Sequence, residues 1–230
     1  MIRAVVFDCD GVLSDNGSSW QLIHKFFGTG ENDGGRHREK LEMFLDGEIS
    51  EEEFVAHDIQ LWREVSPEIH RDDIIRCYSG VGLIDGARAV VEELQTREVF
   101  VAIVSSGVDL FVGAIANMLK VDDWAANGFE WDEDGWLVKG LPTRVLSHDK
   151  GSMVEKLARI NGFNASDIIS IGDSSSDLSM MIEGSQFIGF NPRRERAKIA
   201  FEEANVPLVE EKDLRLIWPH IFPGENLLTR

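Results

Sequence analysis

The feature that most narrows the fold is the run at residues 2–7, apolar at every position except Arg3. A run this short and continuous predicts a strand buried on both faces, as in parallel sheets, because a strand with one wet face would alternate. Similar runs recur at 99–104, 167–171 and 186–190, with a weaker one at 206–209. Between them, helical patterns cover 86–97, 108–119, 150–161, 177–183 and 193–203. Strands alternating with helices predict a doubly wound α/β core with a parallel sheet of five strands. Two segments break the alternation. Residues 14–79 show helical spacing and no strand signal: Leu41, Phe44 and Leu45 form one apolar stripe, and Phe54, Ile59, Leu61 and Trp62 another, with Asp46-Gly47 between them. The stretch is too long for a crossover and predicts an inserted cap domain of about four helices, splitting the core domain into 1–13 and 80–230. In residues 128–140, Asp134-Gly135 sits between aromatic-rich flanks and predicts a β-hairpin.

Composition excludes several functions. Formal charge is −18, from 41 acidic and 23 basic residues, so the chain lacks the basic footprint that nucleic acid or an anionic membrane requires. No run approaches the length of a membrane span, and the N-terminus lacks the pattern of a secretion signal. Two cysteines, Cys9 and Cys77, form no disulfide framework and fit a reducing cytoplasm.

Directly after the first run come Asp8 and Asp10. Side chains at i and i+2 leave a strand on the same face. The two carboxylates are therefore expected to converge at the C-terminal edge of a parallel strand, where open α/β sheets bind ligands. A second acidic pair, Asp173 and Asp177, follows another strand. Several carboxylates in one crevice cannot all stay ionised without a cation, and Mg²⁺, a hard ion taking oxygen ligands, would resolve the conflict. The duller readings are a turn for the first pair and a capped helix start for the second; finding both at equivalent strand ends weighs against them. Ser105, Ser106 and Gly107 follow the 99–104 run, where a hydroxyl and backbone N–H groups opening a helix form either a phosphate-sized anion site or an ordinary cap. Lys150 opens another helix, where the macrodipole disfavours a cation, so it is either a surface lysine or one with an anionic partner. Cys9 lies between two aspartates whose charge disfavours a thiolate.

In order along the chain, Asp8-x-Asp10-Gly-Val, Ser105, Lys150 and Gly-Asp173-x-x-x-Asp177 resemble the four motifs of the haloacid dehalogenase superfamily of phosphohydrolases. The helical insert between the first two motifs is similar to the small cap of the phosphoserine phosphatase branch, and residues 101–107 and 172–180 also look like that branch. The resemblance implies a Rossmann-like core and a Mg²⁺-dependent phosphomonoester hydrolase acting on a small phosphorylated metabolite. Asp8 would be the nucleophile, forming an aspartyl-phosphate. Asp10 would protonate the leaving alkoxide and then activate water. The Asp8 carboxylate, the Asp10 backbone carbonyl and Asp173 would bind Mg²⁺, with Asp177 supporting them. Ser105, the amides of Ser106 and Gly107, and Lys150 would hold the phosphoryl oxygens. Dehalogenases of the superfamily lack the second aspartate, so Asp10 points to phosphoryl chemistry.

The cap departs from that branch. Where phosphoserine phosphatases carry an acidic residue, this chain reads Asp15-Asn16-Gly17-Ser18-Ser19, and where they carry an arginine it reads Val55-Ala56-His57-Asp58-Ile59. The grip on an amino acid's ammonium and carboxylate has no evident counterpart, which argues against phosphoserine as substrate. Arg36, His37 and Arg38 read as a solvated helix face. Trp20, at the cap entrance, is the one tryptophan placed to touch a substrate. His24, His57 and His148 are not spaced as a transition-metal cluster. The same site would serve a phosphotransferase or mutase. A phospho-receiver shares the aspartates, hydroxyl and lysine, but has no cap and no duty for Asp10.

Overall fold

The computed structural model describes residues 1–30 and 34–227. Its strands are β1 (Ala4–Phe7), β2 (Phe100–Val108), β3 (Asp123–Asn127), β4 (Phe129–Trp131), β5 (Leu137–Gly140), β6 (Ile168–Gly172), β7 (Gln186–Phe190) and β8 (Leu208–Val209). The helices are α1 (Ser19–Phe27), α2 (Arg36–Leu45), α3 (Glu51–Val65), α4 (Arg71–Cys77), α5 (Ala87–Thr96), α6 (Asp109–Leu119), α7 (Gly151–Asn161) and α8 (Glu195–Glu203), with a last short turn at Trp218–Ile221.

The main sheet is parallel, in the order β3-β2-β1-β6-β7-β8. Strand alternation sorts the core into two layers. Val5 and Phe7 join Val101, Ile103, Ile169 and Ile171 under α5 and α6, whereas Ala4 and Val6 join Ala102, Val104 and Ile168 under α7 and α8. Because the sheet grows outward from β1 in both directions, a crevice opens at the C-terminal ends of β2, β1 and β6, the switch point of a doubly wound sheet.

Three sequence expectations need correction. The sheet has a sixth strand, β3, whose Asp-Trp-Ala-Ala-Asn sequence carries little strand propensity and is extended by pairing with β2. The helix expected at 177–183 is a 3₁₀ turn at Ser175–Met180, opened by a capping box in which Ser174 and Asp177 bond reciprocally. Ser105–Gly107 do not open a helix directly: β2 continues, after a register shift, to Val108, and α6 begins at Asp109.

Residues 14–79 contain α1 to α4. Ser18 caps α1, and a Ser50–Glu53 capping box starts α3. Ile23, Trp62 and Ile74 form an apolar cluster completed by Phe129 and Leu137 of the β4–β5 hairpin. The hairpin is tied to these helices by Leu137 N–H donating to the Ile69 carbonyl at 2.8 Å and by Arg63 donating to the Val138 carbonyl at 3.0 Å.

Candidate active site

The predicted residues meet at the C-terminal edge of the sheet. β1 ends at Phe7, and Gly11, at φ +81°, turns the chain back; a Cβ there would run into the Asp173 carboxylate. Asp8 is left 4% exposed, and Lys150 Nζ donates to its Oδ1 at 2.9 Å and to Asp177 Oδ1 at 2.6 Å. The lysine therefore has anionic partners, both carboxylates of the protein. Asp177 is fully buried, and its Oδ2 accepts the N–H groups of Asp173 and Ser174 at 3.1 and 2.9 Å and the Ser174 hydroxyl at 2.7 Å. Both of its oxygens thus hold neighbours of the site in place.

Burial pushes the Asp8 carboxyl up to about 7; Lys150 opposes this, while Asp177 and Asp10 add to it. Asp173 is held well above the carboxylate range, by burial first and then by Asp177 and Asp8. Burial works against the Lys150 ammonium, but Asp177 and Asp8 outweigh it and strengthen its hold on the proton. One buried ammonium does not satisfy this many carboxylates. Ligand oxygens of Asp8, Asp173 and Asp177 lie within 4.8 Å of one another, an all-oxygen set suited to a hard divalent cation. Cys9 is pushed well above the ordinary thiol range, chiefly by burial and secondarily by Asp10 and Asp8.

Asp10 takes different partners. Asn16 Nδ2 donates to its Oδ1 at 2.6 Å, and Ser19 donates to Oδ2 through its amide at 2.9 Å and its hydroxyl at 2.8 Å. The start of α1 thus fixes a carboxylate that begins in the core. Gly107 must lack a side chain here, since a Cβ would lie 2.6 Å from Ser19 Oγ and 2.9 Å from Asp10 Oδ2. Its amide donates to Ser105 Oγ at 3.1 Å. The register shift in β2 aims Ser105–Gly107 into the crevice.

A cavity of 400 Å³ gathers Asp8, Asp10, Ser105, Ser106, Gly107, Lys150 and Asp173, with Asp177 behind Lys150. Its far wall, not foreseen from sequence, is Ser174–Ser176 with Arg193, Arg194 and Arg196. A second cavity, of 210 Å³, lies in the cap and shares Ser18, Trp20, Gln21 and Ser106 with the first. Trp20 borders both, oriented by its indole N–H donating to the Ser106 carbonyl at 3.0 Å. Of the polar cap residues, Arg36 pairs with Glu64 and Arg38 with Glu42. His37 instead turns inward: its Nδ1 lies 2.8 Å from Asp58 Oδ1, and His24 Nε2 lies 3.0 Å from Asp58 Oδ2. These three residues, from three helices, make a second cluster with metal-ligand geometry that sequence spacing did not reveal.

Residues 5–181 match the family model of the haloacid dehalogenase-like hydrolases. The phosphoserine phosphatase of Methanocaldococcus jannaschii is 27% identical over 220 residues, covering 95% of this chain and 97% of that protein. A substrate-bound phosphoserine phosphatase structure superposes with a TM-score of 0.76 at 25% identity, over 96% of this chain and 98% of the other. A phospho-aspartyl intermediate analogue of phosphoserine phosphatase superposes with a TM-score of 0.76 at 26% identity, over 95% and 98% of the two chains.

Proposed function

The chain belongs to the haloacid dehalogenase-like hydrolases, and we propose that it is a Mg²⁺-dependent phosphatase in which Asp8 carries the phosphoryl group. The observation behind this reading is the Asp8–Lys150–Asp177 triad beside Asp173, where buried carboxylates outnumber the one buried ammonium at the sheet's C-terminal edge. A carboxylate oxygen of Asp8 attacks phosphorus, and the P–O bond to the leaving alcohol breaks. Asp10, held by Asn16 and Ser19, gives its proton to the leaving oxygen. In the second half Asp10 takes a proton from water, whose oxygen attacks phosphorus and frees Asp8 and inorganic phosphate. Ser105, the Ser106 and Gly107 amides and Lys150 hold the phosphoryl oxygens. The Asp8 carboxylate, the Asp10 backbone carbonyl and Asp173 would hold Mg²⁺, which when bound offsets the charge of the carboxylates and the phosphoryl group.

Residues 14–79 roof the site and select the leaving group of a small phosphorylated metabolite, over a core made from 1–13 and 80–230. The relatives' names make phosphoserine the first metabolite to assay. Among the described residues no lysine or arginine lines the 210 Å³ cap cavity itself, while Lys25 and Arg38 line a neighbouring 580 Å³ cavity that shares Ser18, Gln21, His24, His37 and Leu41 with it. Both cysteines are free and buried, which fits a cytoplasmic enzyme; among the described residues no helix is long and apolar enough to cross a membrane.

Hydrolysis of p-nitrophenyl phosphate with and without Mg²⁺ tests the reading. Turnover is expected to require the ion, and Asp8→Asn should abolish it while keeping the fold by circular dichroism. Full activity in excess EDTA, or an Asp8→Asn enzyme retaining more than about a tenth of kcat, a loss below roughly 1.4 kcal/mol, would refute it.

A further inference from the structure

The first turn of α1 reaches two separate parts of the catalytic crevice. Ser19 donates to Asp10 Oδ2 through its amide and its hydroxyl, and the hydroxyl oxygen accepts the Val108 amide at 3.0 Å. The next residue, Trp20, reaches the segment 105–107, where its indole N–H donates to the Ser106 carbonyl at 3.0 Å. Asn127, at the end of β3, donates to the same carbonyl from Nδ2 at 3.3 Å, although its shorter bond, at 2.8 Å, goes to the Val145 carbonyl. Trp20 is therefore the principal partner of the Ser106 carbonyl.

That carbonyl matters because of the peptide to which it belongs. In a trans peptide the C=O and the following N–H point to opposite sides. Fixing the Ser106 carbonyl on the indole therefore sends the Gly107 N–H the other way, and it donates to Ser105 Oγ at 3.1 Å. This bond uses the hydroxyl as an acceptor. Among the described residues Ser105 makes no other side-chain hydrogen bond, so its O–H proton is left to donate into the 400 Å³ cavity that it lines with Asp8. At 1% exposure the group is shielded from water, and hydrogen bonds in series polarise one another there. Each link strengthens the next, from indole to carbonyl, from amide to hydroxyl, and from hydroxyl to a phosphoryl oxygen.

Packing holds the indole in this pose apart from the hydrogen bond. Its ring meets Phe129 edge-on at 5.5 Å and stacks on Trp62 at 6.4 Å. Rings from the hairpin and from α3 thus make Trp20 a fixed donor.

We propose that Trp20 is a positioning residue for phosphoryl transfer, acting through the Ser106–Gly107 peptide to orient and strengthen the Ser105 hydroxyl as a donor to the phosphoryl group. The inference rests on the phosphatase reading of that site. Because Ser19 and Trp20 are adjacent, seating α1 fixes Asp10 and the phosphoryl cradle together. Both halves of the reaction pass through a phosphorus carrying the same three outer oxygens, so the contribution falls on kcat whichever half is slower.

The test replaces Trp20 by 3-benzothienylalanine, which keeps the fused ring and puts sulfur in place of the N–H. With p-nitrophenyl phosphate and Mg²⁺, kcat should fall about 3- to 10-fold, the worth of one neutral hydrogen bond, with KM held within about twofold. Affinity for orthovanadate, which mimics five-coordinate phosphorus, should fall by the same factor, while affinity for inorganic phosphate holds. In a Ser105→Ala background the replacement should change kcat by less than about twofold, because the group through which it acts is gone. Should the substituted protein fail to fold, Trp20→Phe repeats the comparison. An unchanged kcat, a deficit confined to KM, or an equal deficit in both backgrounds overturns the inference, the last by showing that Trp20 serves packing alone. A wild-type protein that turns over no ester, yet binds orthovanadate more tightly than the substituted protein does, overturns the phosphatase reading alone.

Discussion

Without a metal ion, burial pushes the Asp8 carboxyl up to about 7, yet both attack on phosphorus and metal ligation need it ionised. Because the folded value lies above the unfolded one of 3.8, the native metal-free protein binds more protons than the unfolded chain between those values. Its stability should therefore fall as pH rises through that window, and Mg²⁺ should offset the fall. The same linkage requires Mg²⁺ binding near pH 6 to release protons, from Asp8 and from Asp173, which is also held high, so affinity should rise with pH through that window. Calorimetry in two buffers of different ionisation enthalpy measures the release, and Asp8→Asn should lose the Asp8 share of it while the Asp173 share remains; proton uptake would contradict the assignment. Asp8, Asp10, Lys150, Asp173 and Asp177 were legible in the sequence because each follows a strand or opens a helix, positions the chain's own periodicity marks. His37 and Asp58 were not, since their contact joins side chains 21 residues apart on different helices and depends on how α2 packs against α3. Arg193, Arg194 and Arg196 read only as the start of a helix, and nothing local says that this helix begins at the crevice.

At the scale of elements, the cap is completed from outside its own segment. Phe129 and Leu137 of the β4–β5 hairpin are buried against Trp62, Ile69 and Ile74. Joining Leu13 to Gly80 by a short linker would remove those helices and bare the hairpin's apolar face. We expect that deletion to self-associate in size-exclusion chromatography, and a second version, with residues 129–140 also replaced by a short turn, to run as a smaller species that still hydrolyses p-nitrophenyl phosphate. A well-behaved single deletion of unchanged oligomeric state would show that the hairpin needs no cover. Asp134-Gly135 made this hairpin readable, because Gly135 adopts the left-handed conformation that such turns demand. Its partner was not readable, since no local pattern says which apolar face it covers. The missed strand β3 has the same origin: two alanines and an aspartate become a strand only because the edge of β2 offers them a ladder. The turn at 175–180 illustrates the reverse, a helical pattern overridden because the Asp177 carboxylate turns back onto the Asp173 and Ser174 amides.

The whole molecule carries a formal charge of −18, and a phosphomonoester dianion must approach it through that field. The crevice answers locally with Arg193, Arg194 and Arg196 along one wall of the 400 Å³ cavity. Arg193 is partly engaged, its guanidinium 3.7 Å from Asp15, while Arg194 and Arg196 make no ion pair among the described residues. All three are exposed at the rim, so their attraction acts through water and is open to screening by salt. Removing Arg194 and Arg196 together should therefore weaken capture of any dianionic ester while leaving the phosphoryl-transfer step alone. We expect Arg194→Ala/Arg196→Ala to lower kcat/KM for p-nitrophenyl phosphate roughly 3- to 10-fold at low ionic strength, with kcat unchanged, as for two exposed charges worth up to about 1 kcal/mol. The gap between variant and wild type should close at roughly 0.5 M salt, where the screening length falls to about 4 Å. A deficit that persists at high salt, or one that appears in kcat, would mean that these guanidiniums touch the reacting phosphoryl group directly instead of drawing it in.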